Sequence, residues 1–223
     1  MRNLLLKDLI LTTRNWLFLL LCTALLIIFV FANSTQTTFF YAMEIFGISY
    51  ALFSSAISYD DKNNSDILFN SLPIKRSRIV MARYLSLFMF VLIGTFLSLL
   101  IGGVSQAVHP GLFQPLMMSA QQSMLMGAIS FWLTSILYLP LYFKWGYQKS
   151  RVFNVAIFFS VFFIPVIIGS LERVIPQSIL KKAIDFFRGQ PAWMLETEGL
   201  LLVLLLGCLS CFLSCVIYNK REF

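Results

Sequence analysis

Glu44, His109 and the trio Cys208, Cys211 and Cys215 are the residues whose types and spacing could do chemistry. Glu44 stands alone in an apolar stretch; at the centre of a bilayer a charged carboxylate costs on the order of 2.5–3.5 kcal/mol. It must therefore face a cavity, a cation or a polar partner, or carry a proton. Two readings stay open: a cavity-lining acid that meets a cationic or polar group, and a neutral carboxylic acid hydrogen-bonded between helices. His109, the single histidine, sits beside Pro110 and Gly111 in a turn setting. Neither an H-E-x-x-H metal site nor a Ser–His pair can be assembled around it within the apolar segments. The three cysteines share one helical face, which could suit a thiolate metal site, but packing by small polarizable side chains is the expectation. Together with Cys22 they lie inside apolar segments, where they define no disulfide framework. No glycine is followed by lysine, so a G-x-x-x-x-G-K-[ST] nucleotide loop is excluded. With no metal-ligand set and no acid–base pair, an enzyme activity has no residues to rest on.

The elements that hold these residues are set by composition. Of 223 residues, 59% are hydrophobic and 12% charged, against roughly 25% charged in soluble domains. A helix needs about 20 apolar residues to cross the hydrocarbon core. Long apolar runs place six such spans at about 16–31, 37–58, 85–104, 118–143, 152–169 and 199–218, with Pro140 a candidate kink in the fourth and Pro165 in the short fifth. The expected fold is an all-α polytopic membrane protein forming a single transmembrane domain over 1–223.

The net charge of +7 resides in short loops, where it acts as a topology signal rather than as a nucleic-acid footprint. Thirteen Lys and Arg fall in the N-terminal segment, the second and fourth connections and the tail; four fall on the opposite side, namely Arg173, Lys181, Lys182 and Arg188. The positive-inside rule places both termini in the cytoplasm. A competing reading of the N-terminus is a secretory signal with a cleavage site at Val30-Phe31-Ala32. Sequencing the mature N-terminus decides between them.

Three segments outside the spans are patterned. Leu5, Leu6, Leu9 and Ile10 share one side of a helix opposite Asn3, Lys7 and Arg14, suited to the cytoplasmic membrane surface. An outer stripe of Ile179, Leu180, Ala183, Ile184 and Phe187 opposes Lys181, Lys182, Asp185 and Arg188, which suits a helix resting at the outer interface or, as the alternative, capping the opening between spans. The connection from Asp60 to Arg83 is longer than joining two spans requires. Ser65 and Asp66 can open a short helix through Ile67, Leu68 and Phe69, which Leu72-Pro73 stops. Its apolar knobs suit either a groove on a soluble partner or packing against its own spans.

That connection reads Phe69-Asn70-Ser71-Leu72-Pro73-Ile74-Lys75-Arg76-Ser77-Arg78-Ile79-Val80, followed by Ala82-Arg83-Tyr84-Leu85-Ser86. With this motif and its layout, the chain resembles the membrane subunits of bacterial ABC type-2 exporters. More narrowly it resembles the small permeases that export amphipathic or antimicrobial peptides, including phenol-soluble modulins. The resemblance implies a permease in the bacterial cytoplasmic membrane that pairs with a separate cytoplasmic ATPase and with a second permease, identical or related. It implies that this chain binds no cofactor, ATP and Mg being held by the ATPase. It makes Ser65, Asp66, Ile67, Leu68, Phe69, Asn70, Ser71 and Leu72 a coupling helix on which the ATPase docks, with Pro73, Lys75, Arg76 and Arg78 as the adjoining turn and basic tail. Competing readings are a channel or secondary carrier that uses no ATPase, disfavoured by the scarcity of intramembrane charges, and a structural or sensory subunit that binds a partner without flux.

Overall fold

The computed structural model describes residues 6–8, 10, 37–63, 65, 68, 75–108, 117–171 and 192–221. Four helices account for most of them: α1 (Thr37–Lys62), α2 (Arg76–Val108), α3 (Met117–Leu171) and α4 (Ala192–Lys220). The described part is all-helical, as an apolar solvent demands, because a helix satisfies every interior backbone N–H and C=O within its own segment. Residues 6–8 and 10 are also helical. The first expected span at 16–31, His109 and the outer stripe at 179–187 lie outside the described residues.

α3 holds 55 residues, which as one rod would be about 80 Å long. It is two helices joined at Gly146, where φ is 75° and ψ 177°, a backbone setting that glycine adopts without the steric penalty of an L side chain. The Tyr138 hydroxyl lies 3.1 Å from Ser150 Oγ, although twelve residues of continuous helix would separate them by about 18 Å. The arms 117–145 and 147–171 therefore fold back on each other. The expected break at Pro140 is not where the chain turns. A proline bends a helix by removing one hydrogen bond, whereas the positive φ at Gly146 reverses it.

Among the described residues, three helical stretches are long and apolar enough to cross a membrane: Arg76–Leu100, Gln122–Ser160 and Thr197–Lys220. The second of them contains the Gly146 reversal and so comprises two arms. α1 lies between α2 and α3, and α4 packs against the same two helices. The aromatic centre of the bundle is Phe53, edge-on to Phe131 and Tyr138 at centroid distances of 5.9 and 5.8 Å, with Leu52, Leu87 and Phe90 fully buried around it. Two glycines set the spacing. A Cβ at Gly94 would stand 2.6 Å from Ser49 Oγ, and one at Gly127 would fall on the Ala42 carbonyl. Small residues of this kind let helix backbones approach closely where lipid supplies no hydrophobic drive for association.

The sidedness of α2 and α4 is that of a membrane protein. Along α4 the inward positions are Val203, Gly207, Ser210, Ser214 and Tyr218, at helical spacing, while Leu201, Leu205, Leu209 and Phe212 are exposed. Along α2 the exposed side chains are Leu85, Phe88, Leu92, Phe96 and Leu99, with Ser86, Leu87, Gly94 and Ser98 turned inward. Apolar groups outside and small or hydroxyl-bearing groups inside invert the soluble pattern and fit a hydrocarbon surround.

Candidate functional site

The connection between α1 and α2 is anchored at both ends. At its base lies a cluster of four charges drawn from three chain segments. Asp60, near the end of α1, accepts hydrogen bonds from Lys7 Nζ and from Arg83 Nη2. Arg83, in the second turn of α2, also donates from Nη1 to Asp8 Oδ2 at 3.1 Å, and Lys7 Nζ lies 3.4 Å from Asp8 Oδ1. The guanidinium thus spans two carboxylates, a task its planar fork performs and an ammonium does not. The side chains of Asp8, Asp60 and Arg83 are at most 8% exposed. Two cations and two anions leave the cluster neutral, which is what makes its burial tolerable. Burial alone would raise the Asp60 carboxyl, but Arg83 and Lys7 outweigh it and hold Asp60 below its ordinary value of 3.8.

The other end of the connection is tied to the far end of the chain. Arg76 Nη1 donates to the carbonyls of Arg221 at 2.8 Å, Asn219 at 3.2 Å and Tyr218 at 3.4 Å. It caps the C-terminus of α4, where carbonyls lack intrahelical partners and the helix dipole favours a cation. Arg221 in turn donates from Nη1 to the Phe143 carbonyl at 3.3 Å, next to the Gly146 turn. Lys7, Arg76, Arg83 and Arg221, four of the residues that the sequence marks as one basic side, are therefore tied by direct contacts to the ends of α1, α2 and α4.

Within the connection itself, Ser65 is helical and buried, and Leu68 is helical and 60% exposed. Lys75 and Arg78 are exposed; Lys75 offers its carbonyl to the Arg78 amide at 2.9 Å as α2 begins. Asp66, Ile67, Phe69, Asn70, Ser71, Leu72 and Pro73 lie outside the described residues.

Glu44 lies away from this end. It is buried in α1, and Ser98 Oγ of α2 donates to its Oε2 at 3.0 Å. The flanking contacts are the tight crossings at Gly94 and Gly127, so Glu44 sits where helices touch. Of the two roles open for Glu44, this geometry supports the interhelical hydrogen bond. Glu44→Gln preserves an acceptor for Ser98 and is expected to match the unsubstituted protein in yield and thermal midpoint in detergent. Glu44→Ala should lose about 1 kcal/mol with the interhelical bond. A Gln variant as damaged as the Ala variant would instead show that the carboxylate charge is required.

Sequence reading missed two constellations. Lys7, Asp60 and Arg83 were assigned to flanks and topology, and Asp8 carried no role; the available signal was a pair of opposite charges at equal depth beside the span ends. The second joins α2, α3 and α4. Ser210 Oγ donates to the Ile136 carbonyl at 2.7 Å, so Tyr84 donates its hydroxyl hydrogen to Ser210 at 2.6 Å and accepts from Ser214 at 2.9 Å. Cys211 and Cys215, half-buried beside it, pack against the hydrophobic core.

A multi-pass helical membrane protein whose span-joining segment is braced by buried ion pairs is the class that fold and site define. A family model described as an ABC-2 family transporter protein matches residues 3–219, and the chain belongs to that family. It is thus a membrane permease of ABC-2 type, a membership that implies partnership with an ATPase subunit. No curated protein and no solved structure matches the chain.

Proposed function

We propose that this chain is the permease of an ATP-driven exporter in the bacterial cytoplasmic membrane, acting as a dimer with itself or a related permease and docking one cytoplasmic ATPase on residues 65–72. It crosses the membrane six times with both termini in the cytoplasm. ATP and Mg are bound and used by the partner, and this chain catalyses nothing. The cargo is an amphipathic or antimicrobial peptide or a comparably hydrophobic compound; support for that class comes from the resemblance in the Leu72-Pro73 turn and basic tail.

The observation that carries the reading is the Asp60–Arg83 ion pair closing the base of the connection, within a chain that matches its family over 3–219. A force applied to the connection reaches α1 through Asp60 and α2 through Arg83 as one body, while Lys7 and Asp8 draw in the N-terminal segment. Arg76 relays the same displacement to the end of α4. Closure of two ATPases would then tilt α1, α2 and α4 together and reshape the path between the two permeases.

Co-expression with the ATPase encoded beside it, followed by purification through a tag on this chain, tests the reading. A stable complex is expected whose ATP hydrolysis rises with an amphipathic peptide, and the peptide should accumulate in inverted vesicles only with ATP. Accumulation driven by an ion gradient without ATP would establish a secondary carrier instead.

A further inference from the structure

Between the end of α1 and the Gly146 turn lies a cavity of about 540 Å³ lined by Ser58, Asp61, Lys62, Tyr147, Gln148 and Arg151. Its two cations are available: among the described residues neither Lys62 nor Arg151 is in an ion pair with Asp61 or any other carboxylate. Lys62 instead rests over the Tyr59 ring at 5.7 Å. The helix face that brings Gln148 to the cavity continues, at helical spacing, into Val152, Val155 and Phe159, all exposed. A polar, cationic cup is thus followed directly by an apolar track. At the turn itself Trp145 stacks on Phe153 at 5.2 Å under the ammonium of Lys144, the amphipathic arrangement found where a membrane meets water.

We propose that this cavity binds the headgroup of an anionic phospholipid. Its phosphate lies between Lys62 and Arg151, and its acyl chains run along Val152, Val155 and Phe159. Two cations against the single Asp61 carboxylate leave the cup net positive, which favours an anionic headgroup over a zwitterionic one, and hydroxyls on the phosphate's substituent can donate to Asp61. The apolar track distinguishes this occupant from free phosphate, which has no use for it. The placement rests on the reading that the Gly146 turn faces the cytoplasm, where the leaflet is anionic. Binding in detergent does not depend on that orientation, and labelling of a Gln148→Cys variant in intact cells with an impermeant maleimide tests orientation separately.

Native mass spectrometry of the purified full chain, titrated with phosphatidylglycerol, phosphatidylcholine or inorganic phosphate, reads the site directly. Phosphatidylglycerol should be retained at lower concentration than phosphatidylcholine, with apparent affinity falling about fivefold on Arg151→Gln and again on adding Lys62→Gln. Arg151→Lys should retain most of the preference, and Lys220→Gln, which removes an exposed cation outside the cavity, should leave it intact. Equal retention of the two lipids, or an equal drop with Lys220→Gln, would overturn the proposal. Displacement of phosphatidylglycerol by millimolar inorganic phosphate would overturn it too, assigning the cavity to a free anion.

Discussion

Arg83→Ala is expected to be the most damaging single substitution in the charged cluster that joins α1 and α2, costing the folded protein about 3–5 kcal/mol. Removing the guanidinium leaves Asp8 and Asp60 buried with Lys7 as their remaining cation, and an uncompensated buried charge is far more costly than the pair it came from. Arg83→Lys keeps the charge but cannot span both carboxylates, since Nη1 serves Asp8 and Nη2 serves Asp60. It should fall between the two. Thermal midpoints of the detergent-purified protein should run unsubstituted, then Lys, then Ala; an Ala variant as stable as the unsubstituted protein would remove the cluster from the account.

The same cluster sets a pH dependence. Asp60 is held below its ordinary 3.8, so the unfolded chain binds its proton more readily than the folded one. Its contribution is full above that value and is lost as pH falls through the lower folded value. The midpoint of the unsubstituted protein should therefore drop steeply below about pH 4. Asp60→Asn should start lower at neutral pH and flatten that acid limb.

The second large effect concerns assembly. Leu68→Asp and Phe69→Asp should abolish retention of the ATPase on the tagged permease while leaving membrane insertion and detergent stability unchanged. Leu68 is well exposed, so an aspartate there meets water when the chain is alone. In an apolar groove on a partner the same carboxylate would be desolvated without a counter-charge, which docking cannot tolerate. A Leu68→Asp variant that keeps its ATPase would show that docking lies elsewhere. One that loses insertion as well would show that residue 68 packs against the chain's own spans.

Much of the fold was legible from local pattern. The expected spans at 37–58, 85–104 and 199–218 fall within α1, α2 and α4, and the runs at 118–143 and 152–169 fall within the two arms of α3. Helix ends ran further than hydropathy indicated, because α2 begins at Arg76 with charged residues that find partners in the folded chain. The reversal between the arms was assigned to the right connection but not to Gly146, the one glycine between residues 143 and 152, since sequence shows that a glycine is there but not that it takes positive φ.

The candidate site divides differently. The absence of a nucleotide loop, the long second connection and the one-sided distribution of Lys and Arg are properties of composition and spacing, and the sequence alone determined them. So was the solvent: a chain this apolar and this poor in charge has to face hydrocarbon. Pairing is what only the tertiary structure decided. Arg83 meets a carboxylate 75 positions away, Ser98 meets Glu44 across 54, and Tyr84 meets Ser210 across 126. Sequence separation of that size places no limit on which charges or hydroxyls come together; helix crossing and close approach at glycines do. Hydropathy, summed along the chain, fixes which segments are spans, but partner choice depends on geometry among segments already packed.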